Sequence, residues 1–217
     1  MLSFAVSCDE GDCTAHNWNW AAYTSGSGLR VCQNSGCTVT AGIGDTGSAG
    51  GIIFYSTEFD FFTGTTAGDT TTVKRYYLEA APANMATTLM WASYWNDLIP
   101  DLSQTSIDQT DWAIGRGQLN TAIIIARGVS QSYTTPAASA CADLITGDKD
   151  DWFLPSRNEL NALAQIRGLH GIPNTDWWFW SSSQNGIEYA WGQNFSNGNQ
   201  GSNLKDNDFN VRPVRAF

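Results

Sequence analysis

The sequence predicts an α+β domain with long polar loops, on three observations. Short apolar runs bounded by glycine or proline open the ordered part of the chain. Three stretches with helical periodicity and helix-start chemistry lie between residues 115 and 168. After them the chain turns aromatic and β-like to its end. Strands, then helices, then strands is the order of an α+β domain. The 217 residues fit one large domain, or one domain with an appendage, and suffice to bury a full core.

Residues 1–49 form an N-terminal segment dense in Gly, Ser, Thr and Cys, with no assignable fold. The glycine spacing over 42–51 marks its boundary with a second unit, 50–217. That unit opens with "GIIFYS", a short apolar run between glycines that reads as a strand. Residues 56–75 read as a polar loop, and "RYYLEAAP" as a second strand stopped by Pro82. In "GRGQLNTAIIIARG", Leu119, Ala122, Ile123 and Ala126 share one stripe at helical spacing, and Gly128 supplies the stop. "TTPAASACADLITG" offers Thr135 as N-cap, Pro136 at the first helical position and Gly147 beyond the end. "PSRNELNALAQIRG" carries a capping box, Ser156 with Glu159, then Leu160 and Leu163 facing inward and Gly168 as terminator. Strands follow in "DWWFWSSS", "YAWGQNF" and "FNVRPVRAF". No internal repeat is present.

Between the last two strands, residues 192–210 hold six of the chain's sixteen asparagines. Such composition buries little and invites a reading of disorder. Trp191, Phe195, Leu204, Phe209 and Val211 punctuate the run, however, and a disordered tail rarely carries so many anchors. The segment therefore reads as an ordered, solvent-facing surface that ends in a buried strand.

Composition bounds the function classes. Charged residues make up only 15% of the chain while tryptophans number ten, the profile of a loop-rich, aromatic-cored extracellular domain. The expected location is extracellular, at a cell surface or on a virion. A net charge of −10 repels phosphate backbones, so nucleic acid is not an expected partner. No run of 18 apolar residues exists, so membrane insertion is not expected. The opening "MLSFAVSCDE" is shorter than a signal peptide and lacks its basic flank.

Cys8, Cys13, Cys32 and Cys37 form two C-x4-C pairs. Two readings stay open: two disulfides in a secreted segment, which the composition favours, or a structural zinc site. Cys141, set among alanines on a helix face, reads as a small buried hydrophobe.

Several pieces together resemble one family: "GGIIFY", "YLEAAP", "GRGQLNTAIIIA", "SACADL", "DWFLPSRNELNAL", "FWSSS", "YAWGQNFSNGNQ" and "VRPVRAF". They occur in the order seen in the C-terminal ligand-binding domain of bacterial collagen-like adhesins and their relatives. The resemblance covers 50–217. It implies a C-type lectin-like fold of the formylglycine-generating-enzyme type, without catalysis. Catalytic relatives use a cysteine pair near the C-terminus, and this chain has no cysteine after Cys141.

The tail resembles something narrower, the variable region of proteins diversified by retroelements. There a reverse transcriptase copies a template rich in Asn codons and randomises its adenines. Changing only the adenines of AAC yields Ser, Gly, Asp, Leu or Phe among other residues. Gly192, Ser196, Gly201, Ser202, Leu204, Asp206, Asp208 and Phe209 are all reachable that way. Asn194, Asn197, Asn199, Asn203, Asn207 and Asn210 would be unchanged template. Loops favour Gly, Ser, Asp and Asn on their own account, so Leu204 and Phe209 carry the distinction.

On this resemblance, variable region 191–210 is a recognition surface on a fixed scaffold of Trp191, Phe195, Val211, Val214 and Phe217. Arg212 and Arg215 would pin the last strand to carboxylates or carbonyls. Small polar positions would supply adaptable hydrogen bonds, with Leu204 and Phe209 as anchors. The implied partner is a variable protein or glycan on a target surface, with multimeric display raising modest affinity. The alternative is an undiversified adhesin binding one fixed polysaccharide or protein ligand.

Other motifs read as structure. Neither His16 nor His170 sits in a nucleophile motif, and the serines of "WSSS" read as hydroxyls bonded to backbone. "WND" at 95–97 lacks the partner motif of a calcium-dependent lectin. "GDKDD" at 147–151 offers oxygens to calcium, although a solvated turn is the simpler reading. "NFS" at 194–196 is a glycosylation sequon only in a eukaryotic secretory setting. No other cofactor is expected.

Overall fold

A computed structural model describes residues 18–19, 29–32, 38–66, 68–102, 110–175 and 177–217, with the strands before residue 41 and Thr110 described by backbone alone. In chain order, β1 (Trp18–Asn19), β2 (Leu29–Cys32) and β3 (Thr38–Thr40) pair as one small antiparallel sheet. Cys8, Cys13 and Cys37, and with them the choice between disulfides and zinc, lie outside the described residues. Next come β4 (Ile52–Tyr55), β5 (Phe59–Phe62), β6 (Thr72–Arg75), β7 (Leu78–Ala80) and β8 (Leu89–Met90). Three helices follow, α1 (Gly117–Gln131), α2 (Pro136–Ala142) and α3 (Arg157–Gln165). The chain ends in β9 (Trp178–Asn185), β10 (Tyr189–Asn194), β11 (Gln200–Leu204), β12 (Asp208–Phe209) and β13 (Val214–Ala216). Helices gathered mid-chain with several small sheets around them make the architecture α+β.

The final strand closes the domain on its beginning. β13 pairs with β7, and β7 with β4, all antiparallel. The other working sheet has the order β11-β10-β9, and β12 pairs separately with β8. β9 divides the interior, because successive side chains leave a strand on opposite faces. Phe179 enters a core with Phe54, Phe153, Leu160, Leu163 and Val214. Trp180 enters a second core with Trp91, Leu119, Ile124, Cys141 and Val211. Cys141 is fully buried and unpaired, and burial pushes its thiol pKa upward, as suits an inert packing residue.

Residues 56–75 are not a loop. β5 and β6 form a hairpin with Phe59 opposite Arg75 and Phe62 opposite Thr72. Alternation in "FDFF" buries Phe59 and Phe61 and turns Asp60 to water. That alternation lasts only four residues, and the apolar Phe62 blurs it. Phe62 instead lies under the Arg116 guanidinium, 4.3 Å from its ring centre.

Helix boundaries also shift. α1 runs past Gly128, a buried position where a Cβ would crowd the Tyr133 carbonyl oxygen at 2.8 Å. The stop is Ser132, at φ 60°, whose N–H reaches the carbonyls of Gly128 and Val129. Ala126 is exposed and Ala122 half-buried, while Ile124 joins Leu119 and Ile123 in the core. α2 ends at Ala142, well short of Gly147, and the Thr135 side chain makes no cap bond to its backbone. Gly147 and Asp148 both take positive φ in a tight turn closed by paired bonds between Thr146 and Lys149. The α3 capping box is formed in both directions.

Two of the glycines in 42–51 pack closely on β7, the strand that follows in the sheet. The Glu79 carboxylate accepts from the N–H groups of Ala49 (3.0 Å) and Gly51 (2.7 Å) and from Arg215 (3.2 Å). A Cβ at Gly47 would fall 2.2 Å from the Glu79 carboxyl carbon, and one at Gly51 2.0 Å from the Ala80 oxygen. Only glycine lets this loop wrap a buried carboxylate so closely.

Candidate functional site

The 191–210 segment folds as a ribbon with a framework inside it. Trp191 pairs with Ser202 and Gly192 with Gly201 across β10 and β11, while β10 also pairs with β9 through an irregularity between Ala190 and Gly192. Asn194 organises the hairpin turn. Its Oδ1 accepts from the Ser196 N–H (2.8 Å), the Ser196 hydroxyl (2.7 Å) and the Asn197 N–H (3.3 Å). This is the side-chain mimicry of a backbone turn that asparagine performs well. Gln193 Nε2 donates to the Gly198 carbonyl at 2.6 Å, and Phe195 stacks on Phe179 with ring centres 4.2 Å apart.

Lys205 holds the other end. It is almost wholly buried, and its ammonium donates to the carbonyls of Asp97 (2.6 Å) and Ile187 (2.7 Å) and to Gln184 Oε1 (2.9 Å). Burial pushes its pKa down to about 8, with the Asp97 charge opposing. Asp97, the acid of "WND", is itself committed: Arg127 grips both carboxylate oxygens at 2.8 and 2.6 Å, and the Tyr133 hydroxyl donates at 2.7 Å.

The predicted variable positions divide three ways. Gly192, Asn194 and Asn210 are buried. Ser196, Gly201, Ser202, Asn203 and Phe209 are half-buried. Asn197, Asn199, Leu204, Asp206, Asn207 and Asp208 are exposed. Leu204 stands free as an anchor would. Phe209 does not: its ring is wedged between Trp180 (4.3 Å, 28°) and Trp178 (6.0 Å, 22°), and only its edge reaches the surface.

Where Phe209 emerges there is an open cleft of about 280 Å³, lined by Thr88, Trp177, Trp178, Asp208, Phe209 and Asn210. Trp178 spreads over the two glycines, so that a Cβ at Gly201 would meet its indole at 2.9 Å. Thr88, Trp177 and Trp178 lie outside 191–210. The only sequence signal for the two tryptophans was the density of "DWWFW", which reads equally well as core, and Thr88 carried none. On the other face of the ribbon, Arg157 is sandwiched between Trp191 (3.9 Å) and Trp112 (4.3 Å).

The scaffold residues are placed as the sequence suggested, with Phe195, Val211 and Val214 buried and Trp191 and Phe217 half-buried. Arg215 meets Asp151 through two bonds (2.7 and 3.0 Å), Ser48 (2.6 Å) and Glu79. Arg212 reaches no carboxylate among the described residues; its Nη1 donates to Asn84 Oδ1 at 2.9 Å, and burial lowers its pKa to about 10. The serines of "WSSS" are spent on structure: Ser181 donates to the Trp191 carbonyl, Ser182 accepts from Asn120, and Ser183 donates to the Asp111 carbonyl. No group of three or more His, Cys, Asp or Glu converges as a metal site, and no helix is long and apolar enough to cross a membrane, among the described residues.

Residues 82–215, well over half of the chain, match the family model of the Lcl C-terminal domain, and the chain belongs to that family. This is the adhesin-type, ligand-binding family that the sequence motifs resembled. No curated protein matches the chain.

Proposed function

We propose that this member of the Lcl C-terminal domain family is a non-catalytic receptor of C-type lectin-like fold, displayed outside the cell or on a virion. Its 191–210 surface is diversified by a retroelement to recognise varied protein or glycan ligands. The observation that carries the reading is a segregation within the ribbon. Of the eight non-Asn positions read as diversified, all but Gly192 are exposed or half-buried. Between them Gln193, Phe195 and Lys205 are buried and bonded or stacked into the fold, as are the template-like Asn194 and Asn210, while Gly198 and Gln200 are half-buried. Most of the proposed variable positions are thus ones where substitution leaves the framework standing, which supports the reading.

The placement of the serines and of Cys141 supports the non-catalytic reading. The serines are bonded into the fold, and Cys141 is sealed in the core far from solvent. Sequencing the DNA around the gene tests the diversification reading. The expected result is a near-copy of codons 191–217 that differs only where it carries adenine, beside a reverse transcriptase gene. Absence of that copy overturns diversification and leaves an adhesin with one fixed ligand.

A further inference from the structure

We propose that the cleft at the start of β9 is a subsite for an uncharged glycan, with a fixed aromatic wall and a variable polar one. The inference deepens the recognition reading and rests on it. Trp177 stands 56% exposed at the cleft, and its indole has no ring partner among the described residues. Trp178 beside it is held flat by Phe209 and the glycines beneath. A sugar ring presents a face of C–H groups, weakly positive, that complements the negative face of an indole.

The polar groups ask for a ligand rich in donors. Asp208 offers an exposed carboxylate with no hydrogen bond among the described residues. Asn210 donates its Nδ2 to the Trp178 carbonyl at 3.3 Å, which leaves Oδ1 to accept. Sugar hydroxyls supply such donors, and those bonded to a carboxylate are the strong kind. Charge disfavours the sulfated or uronic class: among the described residues no Lys or Arg lines the cleft, one carboxylate does, and the chain carries −10. Thr88, Trp177 and Trp178 lie outside 191–210, whereas Asp208, Phe209 and Asn210 lie inside. The two indoles then stay constant in sequence, although Phe209 and the glycines beneath Trp178 vary with the hydroxyl-reading wall, so the ligand class is conserved and the preferred sugar is not.

The test is titration of the full chain with cellohexaose, maltohexaose, chitohexaose and mannohexaose, and with a heparin hexasaccharide, read by tryptophan emission and calorimetry. At least one neutral oligosaccharide should bind, and the heparin fragment should not. Trp177→Ala and Asp208→Ala should each weaken that binding about tenfold or more, with the melting temperature unchanged because both side chains are exposed. Failure of all four neutral probes, binding indifferent to Trp177→Ala, or preference for heparin overturns the proposal. A template copy found in the flanking DNA together with no sugar binding would sink the glycan subsite alone and leave the diversification reading intact.

Discussion

β13 and the β10–β11 ribbon are adjacent in the chain and opposite in construction. Every residue of β13 is buried, and its one charged side chain is held by two carboxylates and a hydroxyl. The ribbon's outer strand carries Gln200 near the turn and Leu204 at the opposite end, with only small side chains between, and its order comes from Asn194, Gln193 and Lys205 beneath. The contrast teaches that the recognition surface does not stabilise itself. The strand that locks the domain lies just beyond it, and a few buried polar residues within the ribbon transmit that rigidity to positions free to change.

Breaking the lock should have the largest effect. Arg215→Ala strands Glu79, which is fully buried and whose pKa burial already raises. Removing one partner of a buried pair costs about 3–5 kcal/mol, because the remaining charge is uncompensated. Denaturant unfolding should show that loss. A double variant with Glu79→Gln should recover part of it, since no charge is then left stranded. Equal losses in single and double variants would mean that Arg215 acts through Asp151 and Ser48 alone.

A pH experiment sharpens the same contrast. Glu159 is wholly buried in the α3 capping box, and burial pushes its pKa up to about 7 against the opposing N–H donors of Ser156, Gly115 and Gly117. A folded pKa above the ordinary 4.5 means that the native state binds more protons than the unfolded chain. The stability linked to Glu159 is thus fully present below about pH 4.5 and is lost as pH rises through about 7. Wild type should weaken over that window by on the order of a few kcal/mol relative to Glu159→Gln, which lacks the group. Glu79 slopes in the same direction, so the difference between the two proteins isolates Glu159. Parallel stability curves would show that the N–H donors hold Glu159 ionised throughout.

How much of this was legible depended on whether the signal was local. The Ser156–Glu159 capping box and the β13 strand were readable because their chemistry lies within a few residues. The family could be recognised from motifs in order. The β5–β6 hairpin was missed because four residues of alternation, one of them apolar on the wrong face, do not outweigh a polar neighbourhood. Gly128 looked like a stop because a glycine's need for close approach to Tyr133 is invisible until the chain folds back. In the ribbon, composition marked the surface but not its floor. Asn194 and Asn210 look like Asn197 and Asn207 in sequence, and only tertiary contact buries the first two. Lys205 carried no sign that three acceptors, two of them from distant parts of the chain, would enclose its ammonium.

That last pair of classes gives the finest test. Lys205→Met keeps the length of the side chain but leaves the carbonyls of Asp97 and Ile187 without this donor, and the Gln184 amide oxygen with the Ile99 N–H alone. Leaving buried polar groups unmet costs about 1–3 kcal/mol, so this variant should unfold earlier by that amount. Asn197→Ala, Leu204→Ser and Asp206→Ala, at exposed positions of the same ribbon, should stay within about 0.5 kcal/mol of wild type. Hydrogen exchange should separate them further, with Lys205→Met loosening the amides of β11 and the exposed variants leaving them protected. If the exposed variants destabilise as much as Lys205→Met, the ribbon is all framework. A surface in which every position supports the fold has no room for diversity, and a fixed ligand would then be the better account of this domain.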